Sequence, residues 1–167
     1  MRSQYSRSNG FTFVELMITL AVIAVIALIA VPNLKAMLEN NRVATQTNRL
    51  VSSIHLARSE AVKRNAKVIL CPIGDGGPIC GSDWSQGWKV VVEDGNRVLQ
   101  VVDAKDQLLS VPSAPLRLIF NGEGRVVEPR DSREIIIKKA SFQRRVALTI
   151  GGSIRSCKAN QDGDCVQ

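Results

Sequence analysis

The chain has 167 residues, a formal net charge of +7 and an aromatic content of only 4%. This length suits one domain with an appendage, and the modest positive charge permits contact with anionic partners without requiring it. His55 is the only histidine, so most histidine-based catalysis and most zinc sites are excluded. We predict no enzymatic activity, no cofactor and no metal site, and we interpret His55 as a packed or surface residue of a helix.

A predominantly apolar run covers residues 11–31 and contains one acid, Glu15. Its 21 residues would span about 31 Å as a helix, which matches the hydrocarbon core of a bilayer. A secretory signal peptide has a shorter core and ends in a small-residue cleavage site, which "LIAVPN" offers only poorly. Neither a signal peptide nor a plain membrane anchor explains the carboxylate, because a charge inside a membrane usually needs a partner.

The stretch "NGFTFVELMITLAVIAVIALIAVPN" resembles the N-terminus of a type IV prepilin. In that family a short basic leader ends in glycine, and a prepilin peptidase cuts after the glycine and methylates the new N-terminal residue. The fifth mature residue is glutamate, and a proline follows near mature position 22. Gly10, Phe11, Glu15 and Pro32 occupy these four positions here.

The resemblance implies a domain organisation and a location. Residues 1–10 would be the cleaved leader, whose basic side chains keep it in the cytoplasm, and residues 11–32 would be the transmembrane part of a helix. The chain would cross the inner membrane once, with its C-terminal domain in the periplasm, and would later join the pilus, at its tip, at the cell surface.

The resemblance also implies two assembly residues. Glu15 would pair with the Phe11 amine of a neighbouring subunit, and it would set the register of the filament rather than stabilise the monomer. Pro32 removes a helix hydrogen bond and clashes with the preceding turn, so we expect a kink or local melting just before it.

Residues 33–65 continue the helix as its amphipathic half, with apolar side chains at three- and four-residue spacings. Glu60 and Arg64 are placed for an i,i+4 ion pair, and basic side chains on the other face are expected in solvent. The apolar positions are Leu34, Met37, Leu38, Thr47, Leu50, Val51, Ile54, Ala57 and Ala61, and the basic ones are Arg42, Arg49, Arg58 and Lys63.

Three later blocks extend the resemblance over nearly the whole chain. "LARSEAVKRNAKVILC", "DWSQGWKVVVEDGN" and "LRLIFNGEGRVVEP" are similar to stretches of the minor pilins FimT and FimU and of the pseudopilin GspH. The implied fold is α+β: the type IV pilin fold, in which one long N-terminal helix packs on an antiparallel β-sheet or sandwich.

Residues 66–167 would be the periplasmic β-rich domain, because short β-rich runs alternate there with turn signals. Trp84 and Trp88 are interpreted as core or sheet-edge aromatics. The predicted strands cover residues 67–71, 88–93, 97–102, 116–120, 125–127, 134–138, 145–150 and 153–157, with "DGN" and "NGEG" as hairpin turns.

Four cysteines remain, and an even number in a periplasmic domain favours disulfides over a metal site. Three pairings are possible. We favour the local one, Cys71–Cys80 with Cys157–Cys165, because it closes two short loops that contain Gly, Pro and Asp.

Residues 135–161 contain six basic side chains and no acidic one, namely Lys138, Lys139, Arg144, Arg145, Arg155 and Lys158. Some FimT-type pilins bind DNA through a Gly-Arg-x-Arg motif, of which "GSIR" keeps only the second arginine. Adjacent cations on a strand point to opposite faces, so one member of each adjacent pair would join Arg155 and Lys158 in a stripe. Such a stripe would contact double-stranded DNA non-specifically; the alternative is a solvated basic edge that discourages aggregation.

Three functions are consistent with the resemblance. We favour a minor pilin that helps to initiate type IV pilus assembly, and so twitching and adhesion, with prepilin peptidase and other minor and major pilins as partners. The alternatives are a FimT-like DNA-binding pilin for natural transformation and a GspH-type minor pseudopilin of type II secretion.

Overall fold

One long helix, α1 (Phe13–Arg64), opens the described part of the chain and contributes to two compact units, Met1–Leu38 and Glu39–Gln167. The structure is a computed structural model that describes residues 11–74, 80–93, 97–104, 110–129, 133–160, 162 and 164–166. The leader, residues 1–10, and the "DGN" turn therefore lie outside the described residues.

In the first unit, α1 is almost entirely apolar and its side chains are exposed. It is the one described helix that is long and apolar enough, by length and composition, to cross a membrane. The helix is unbroken through Pro32, so the expected local melting is wrong, while a kink stays a prediction. The helix continues because the fixed φ of proline is itself helical, and the ring removes only one hydrogen bond.

In the second unit, α1 buries one stripe of side chains: Val43, Gln46, Thr47, Leu50, Ser53, Ile54, Ala57 and Ala61. The predicted helical spacing is thus confirmed from Thr47 onward. Leu34, Met37 and Leu38 are exposed and belong to the first unit.

The predicted ion pair near the end of α1 is confirmed, since Arg64 Nε lies 2.6 Å from Glu60 Oε2. The hydrogen bond from Arg64 holds the pKa of Glu60 below its usual value. The pair lies at the surface of the helix, where solvent screens the two charges, so it contributes little to stability.

Ten strands are present among the described residues, all in antiparallel pairs, and they form two five-stranded sheets. They are β1 (Val68–Pro72), β2 (Gly87–Val92), β3 (Arg97–Asp103), β4 (Ser110–Ser113), β5 (Leu118–Phe120), β6 (Val126–Glu128), β7 (Glu134–Lys139), β8 (Phe142–Leu148), β9 (Ile154–Ala159) and β10 (Cys165–Val166). The strand orders are β3-β2-β1-β5-β6 in the first sheet and β10-β9-β8-β7-β4 in the second. The predicted α+β architecture is confirmed.

All eight predicted strands are found, with ends that differ by a few residues. Two strands were missed: β4 contains a proline, and β10 has only two residues, so neither shows an alternating apolar pattern. The "NGEG" turn does join β5 to β6. Its Asn121 Oδ1 accepts hydrogen bonds from the backbone N–H groups of Glu123 and Arg125.

A single core joins α1 to the inner faces of both sheets. Val68, Leu70 and Phe120 of the first sheet and Ile135, Ile137 and Val146 of the second are all buried in one cluster with the helix stripe. Because alternate residues of each sheet point inward, one face of the helix packs against both sheets.

Arg58 ties α1 to a loop of each sheet, and its predicted place in solvent is wrong. Its Nη1 donates a hydrogen bond to the Gly152 carbonyl, at 3.1 Å, in the β8–β9 turn. A Cβ atom on Gly124, in the β5–β6 turn, would lie 3.2 Å from Arg58 Nε. Gly124 and Gly152 have φ angles of +73° and +78°, a region that favours glycine. The two glycines let both turns approach the arginine.

We predict that Gly152→Ala lowers the free energy of unfolding by about 2–4 kcal/mol. The new Cβ would lie 2.5 Å from the Gly124 carbonyl oxygen, and the residue would keep an unfavourable positive φ. The measurement is urea unfolding of the detergent-solubilised chain, followed by tryptophan fluorescence.

Gly151→Ala is the matched control, because the nearest atom to its Cβ would be 3.9 Å away. That variant should stay within about 0.5 kcal/mol of the parent chain. Equal losses in the two variants would contradict the proposed close approach at Gly152.

Candidate assembly and binding surfaces

The N-terminal end of α1 is capped by Thr12. Its hydroxyl oxygen accepts a hydrogen bond from the Glu15 backbone N–H, at 3.2 Å, and its carbonyl accepts one from Leu16 N–H. A threonine three residues before a glutamate at a helix start is the pattern of a capping box, in which the two residues satisfy free N–H groups. Thr12 supplies its half of this pattern, and the sequence reasoning missed this cap although "TFVE" carries the signal.

The large apolar side chains of α1 up to Leu38 are exposed. Phe11 is 83% exposed and Val31 is 49% exposed, with the large apolar side chains between them similarly open. A continuous apolar surface of this kind is covered by lipid or by other helices in a working protein. The exposed carboxylate of Glu15 lies within this surface.

The two faces of the second sheet carry separate sets of cations. Arg144 is directly opposite Lys158 in the β8–β9 register, and Ala147 is opposite Arg155. Since side chains alternate along a strand, Lys139, Arg144 and Lys158 share the face of the buried Ile137 and Val146. Lys138, Arg145 and Arg155 are on the other face.

The predicted DNA-binding stripe is therefore wrong in its geometry. Arg155 and Lys158 are three residues apart on β9, and an odd spacing on a strand puts side chains on opposite faces. No stripe on one face contains both residues.

Arg145 is engaged by acidic side chains. Its Nη2 bonds Glu134 Oε1, and its Nη1 lies 3.7 Å from Asp164 Oδ1. The hydrogen bond from Arg145 to Glu134, followed by the charges of Glu134 and Asp164, raises the pKa of the guanidinium. These acids offset much of its charge, so Arg145 contributes little to an anion-binding surface.

Cys71 is joined to Cys80 and Cys157 to Cys165, each pair with a Cα–Cα distance of 5.6 Å. This is the local pairing that we favoured. The first bond joins β1 to Cys80, and the second links β9 to β10.

Both tryptophans are buried, as predicted, and each donates its indole N–H to a buried acceptor. Trp84 Nε1 bonds the Pro115 carbonyl at 2.8 Å, and Trp88 Nε1 bonds Ser53 Oγ at 2.9 Å. Ser53 Oγ in turn donates to Gln100 Oε1, so this network links α1, β2 and β3. Trp84 and Trp88 thus have a structural role, while His55 is exposed on α1.

Asp83 caps the short 3₁₀ helix Trp84–Gln86 in the same "DWSQGW" block. It accepts hydrogen bonds from the Ser85 hydroxyl and from the Ser85 N–H, and these bonds lower the pKa of the carboxyl group. The residues of this block are therefore explained by their roles in folding: Asp83 caps the 3₁₀ helix, and the two tryptophans are bonded within the core.

Comparison with known proteins places the chain in a family. A family model described as type II transport protein GspH matches residues 46–153, which is well over half of the chain. The chain belongs to the GspH family. A model of the prokaryotic N-terminal methylation motif matches residues 5–31, so the predicted relationship to type IV minor pilins and pseudopilins is confirmed.

Solved structures of a minor pilin have the same fold as this GspH-family chain. A crystal structure of the type IV minor pilin FimU of Pseudomonas aeruginosa is 22% identical over 70% of this chain and 89% of that one, with a TM-score of 0.54. A second crystal form gives 23% identity over 68% and 90%, with a TM-score of 0.52. A comparison with curated proteins gave no match.

We predict that the two disulfides differ in their rates of reduction under native conditions. Thiol–disulfide exchange requires access to sulfur; Cys71 is fully buried, whereas Cys165 is exposed. Dithiothreitol should reduce Cys157–Cys165 about ten-fold or more faster than Cys71–Cys80. Timed alkylation and mass spectrometry measure both rates. The two rates should converge in concentrated urea, and equal rates without urea would contradict the difference in burial.

Proposed function

We propose that this chain is a minor type IV pilin that helps to initiate pilus assembly and thereby supports twitching and adhesion. Prepilin peptidase would cut between Gly10 and Phe11 and methylate Phe11. Residues 1–10 are then the leader, 11–32 the membrane anchor, 33–65 the amphipathic half of the helix and 66–167 the periplasmic domain. The fold shared with FimU, in a chain that also has the methylation motif, is the observation that carries this proposal.

The exposed apolar surface of α1 supports assembly with other pilins. The same side chains face lipid before assembly and neighbouring pilin helices after it, since both environments are apolar and both cover the surface. Incorporation of the chain into a pilus would therefore need little change in the first unit. The neighbours in the pilus would then be selected by surface contacts of the globular unit.

Glu15 supplies the specificity that an apolar surface lacks. Cleavage creates a charged amine on Phe11, and an unpaired charge in an apolar environment costs several kcal/mol. A subunit in the correct register places a neighbour's amine within reach of Glu15, whereas a shifted subunit leaves both charges unpaired. The carboxylate thus penalises incorrect registers more than it strengthens the correct one.

Type II secretion is the second candidate function, because the matching family model is described as a type II transport protein. A pseudopilin of that system would use the same leader, the same membrane anchor and the same pairing of Glu15 with a neighbour's amine. The two functions differ only in the apparatus that the chain joins, and that choice is made by contacts of the globular unit.

Deletion of the gene with complementation separates these functions. Piliation, twitching, protein secretion and DNA uptake are measured in the same strains. Loss of surface pili and twitching with normal secretion is the expected result. Loss of secretion with normal piliation would overturn the pilus proposal and favour the pseudopilin.

We predict that Glu15→Gln and Glu15→Ala are both processed normally but enter pili at least ten-fold less than the parent chain, because the amine of the neighbour loses its partner. Immunoblots of sheared pili measure incorporation. Glutamine is the informative substitution, since it keeps the capping-box pattern and removes only the charge.

Thr12→Ala is the complementary control. It removes the cap seen at the helix start, at a cost of about 1 kcal/mol, and keeps the carboxylate, so it should assemble. Normal assembly of Glu15→Gln would contradict a role for the charge of Glu15.

A further inference from the structure

We infer that the open edge of β3, together with the groove between this edge and α1, binds an extended segment of a partner protein as an additional strand. The bound segment presents acidic side chains toward α1 and an apolar side chain on the opposite face. The groove lies wholly within the second unit, so this binding surface is separate from the anchoring and register roles in the proposed function.

β3 differs from the other edge strands of the two described sheets. The first sheet ends in β3 and β6, and the second ends in β10 and β4. β6 has three residues, β10 has two, and β4 has four including a proline, whereas β3 has seven. Short edge strands and prolines protect a sheet from pairing with another chain, while a long exposed edge is a template for such pairing. β3 is therefore the edge suited to accept a further strand.

The register with β2 shows which backbone groups of β3 face the open edge. Val102 is opposite Trp88, and two residues later the Ala104 N–H donates to the Gln86 carbonyl. Alternate residues of an antiparallel strand direct both backbone groups to the same side, so Val102 and Ala104 face β2 and Val101 faces the open edge. Within the described part of the chain, neither backbone group of Val101 has a hydrogen-bond partner.

An open groove of about 600 Å³ runs beside this edge. Its β3 side is formed by residues 100–103, which follow a bulge at Leu99 and make up the regular part of the edge. Its α1 side is formed by exposed polar side chains, which are those of Thr45, Asn48, Arg49 and Ser52. A free strand edge beside a wall of hydrogen-bonding side chains is the arrangement that binds an extended peptide.

The two faces of the edge differ in chemistry. Ser53 Oγ donates to Gln100 Oε1, so the side chain of Gln100 faces α1. Because side chains alternate along a strand, Val101 is on the face away from α1, where it is 59% exposed. A bound segment alternates in the same way. Its residue opposite Val101 meets an exposed aliphatic side chain, and the residues before and after it face α1, so an apolar residue between two polar ones is expected.

Arg49 determines the charge that the groove prefers. It is exposed and forms no ion pair with any other residue that the structure describes. A guanidinium binds a carboxylate through two parallel N–H groups, and Asn48 and Ser52 beside it have further donors. Asp103 is the one acid among the described lining residues, and by alternation it is on the face away from α1. The α1 side of the groove therefore favours acidic side chains.

The test uses the full chain in a neutral detergent and a labelled seven-residue synthetic peptide, in which a central valine lies between two glutamates and the other residues are threonine. Binding is measured by fluorescence anisotropy. The peptide should bind at least about ten-fold more tightly than the same peptide with lysines in place of the glutamates. It should bind about five-fold more tightly than a version with an N-methylated central valine, which cannot donate to the β3 edge.

Matched variants locate the site. Val101→Pro removes only the outward N–H, which an edge strand tolerates, and should weaken binding about five-fold, whereas Val101→Thr keeps the N–H and should bind like the parent chain. Arg49→Gln should remove the preference for glutamates over lysines. Arg42→Gln makes the same charge change at another exposed arginine of α1 and should preserve that preference. Tryptophan fluorescence checks the fold of each variant.

Four results would overturn the inference: no binding of the acidic peptide, equal binding of the acidic and lysine peptides, equal binding of the N-methylated peptide, or equal effects of Arg49→Gln and Arg42→Gln. If Val101→Pro fails to fold, the N-methylated peptide decides, because it removes a hydrogen bond between the same two strands from the other side. Dimerisation of the chain that the acidic peptide abolishes would assign the edge to a second copy and reject the acidic partner.

Discussion

The β-rich unit is held together by one stripe of α1, from Val43 to Ala61, which both sheets cover. Small residues such as Ala57 and Ala61 let the backbones approach, while Leu50 and Ile54 fill the space between the sheets. A single helix face thus contributes to two interfaces. Rotation of the helix by one residue, about 100°, would expose aliphatic side chains to water and bury polar ones. The stripe therefore fixes how this part of the helix is oriented on the two sheets.

The inner face of the second sheet is apolar in one part and basic in another. The inner face of the second sheet is apolar where it meets the helix core, with Ile135, Ile137 and Val146. Further along the same strands, this face carries the half-buried side chains of Lys139 and Arg144. A charged side chain is tolerated on an inward face only where the core has ended and water or a ligand can solvate it.

Much of this arrangement could be predicted from the sequence, because local patterns determine it. The spacing of Thr47, Leu50 and Ile54 and the run of strand and turn signals are such patterns, and they account for the helix stripe and for eight of the strands. The role of Arg58 was missed because its partner carbonyl is 94 residues away and depends on two glycines with positive φ. The division of the basic residues between two faces also needed the register, because a slip of one residue would exchange the faces.

In the proposed assembly, the position of Glu15 beside the helix cap would support its pairing with a neighbouring subunit. The Thr12 cap fixes the first turn of α1 without any partner, so the position of the Glu15 backbone relative to the chain end is set before assembly. A preorganised charge loses less entropy on pairing than a mobile one. The cap therefore lowers the cost of recognising a neighbour's amine. Because an uncut chain has an uncharged amide at Phe11, it cannot offer that amine. Under the proposed function, the same carboxylate would therefore require both cleavage of the leader and the correct register, which would explain a charge in a segment that otherwise favours lipid.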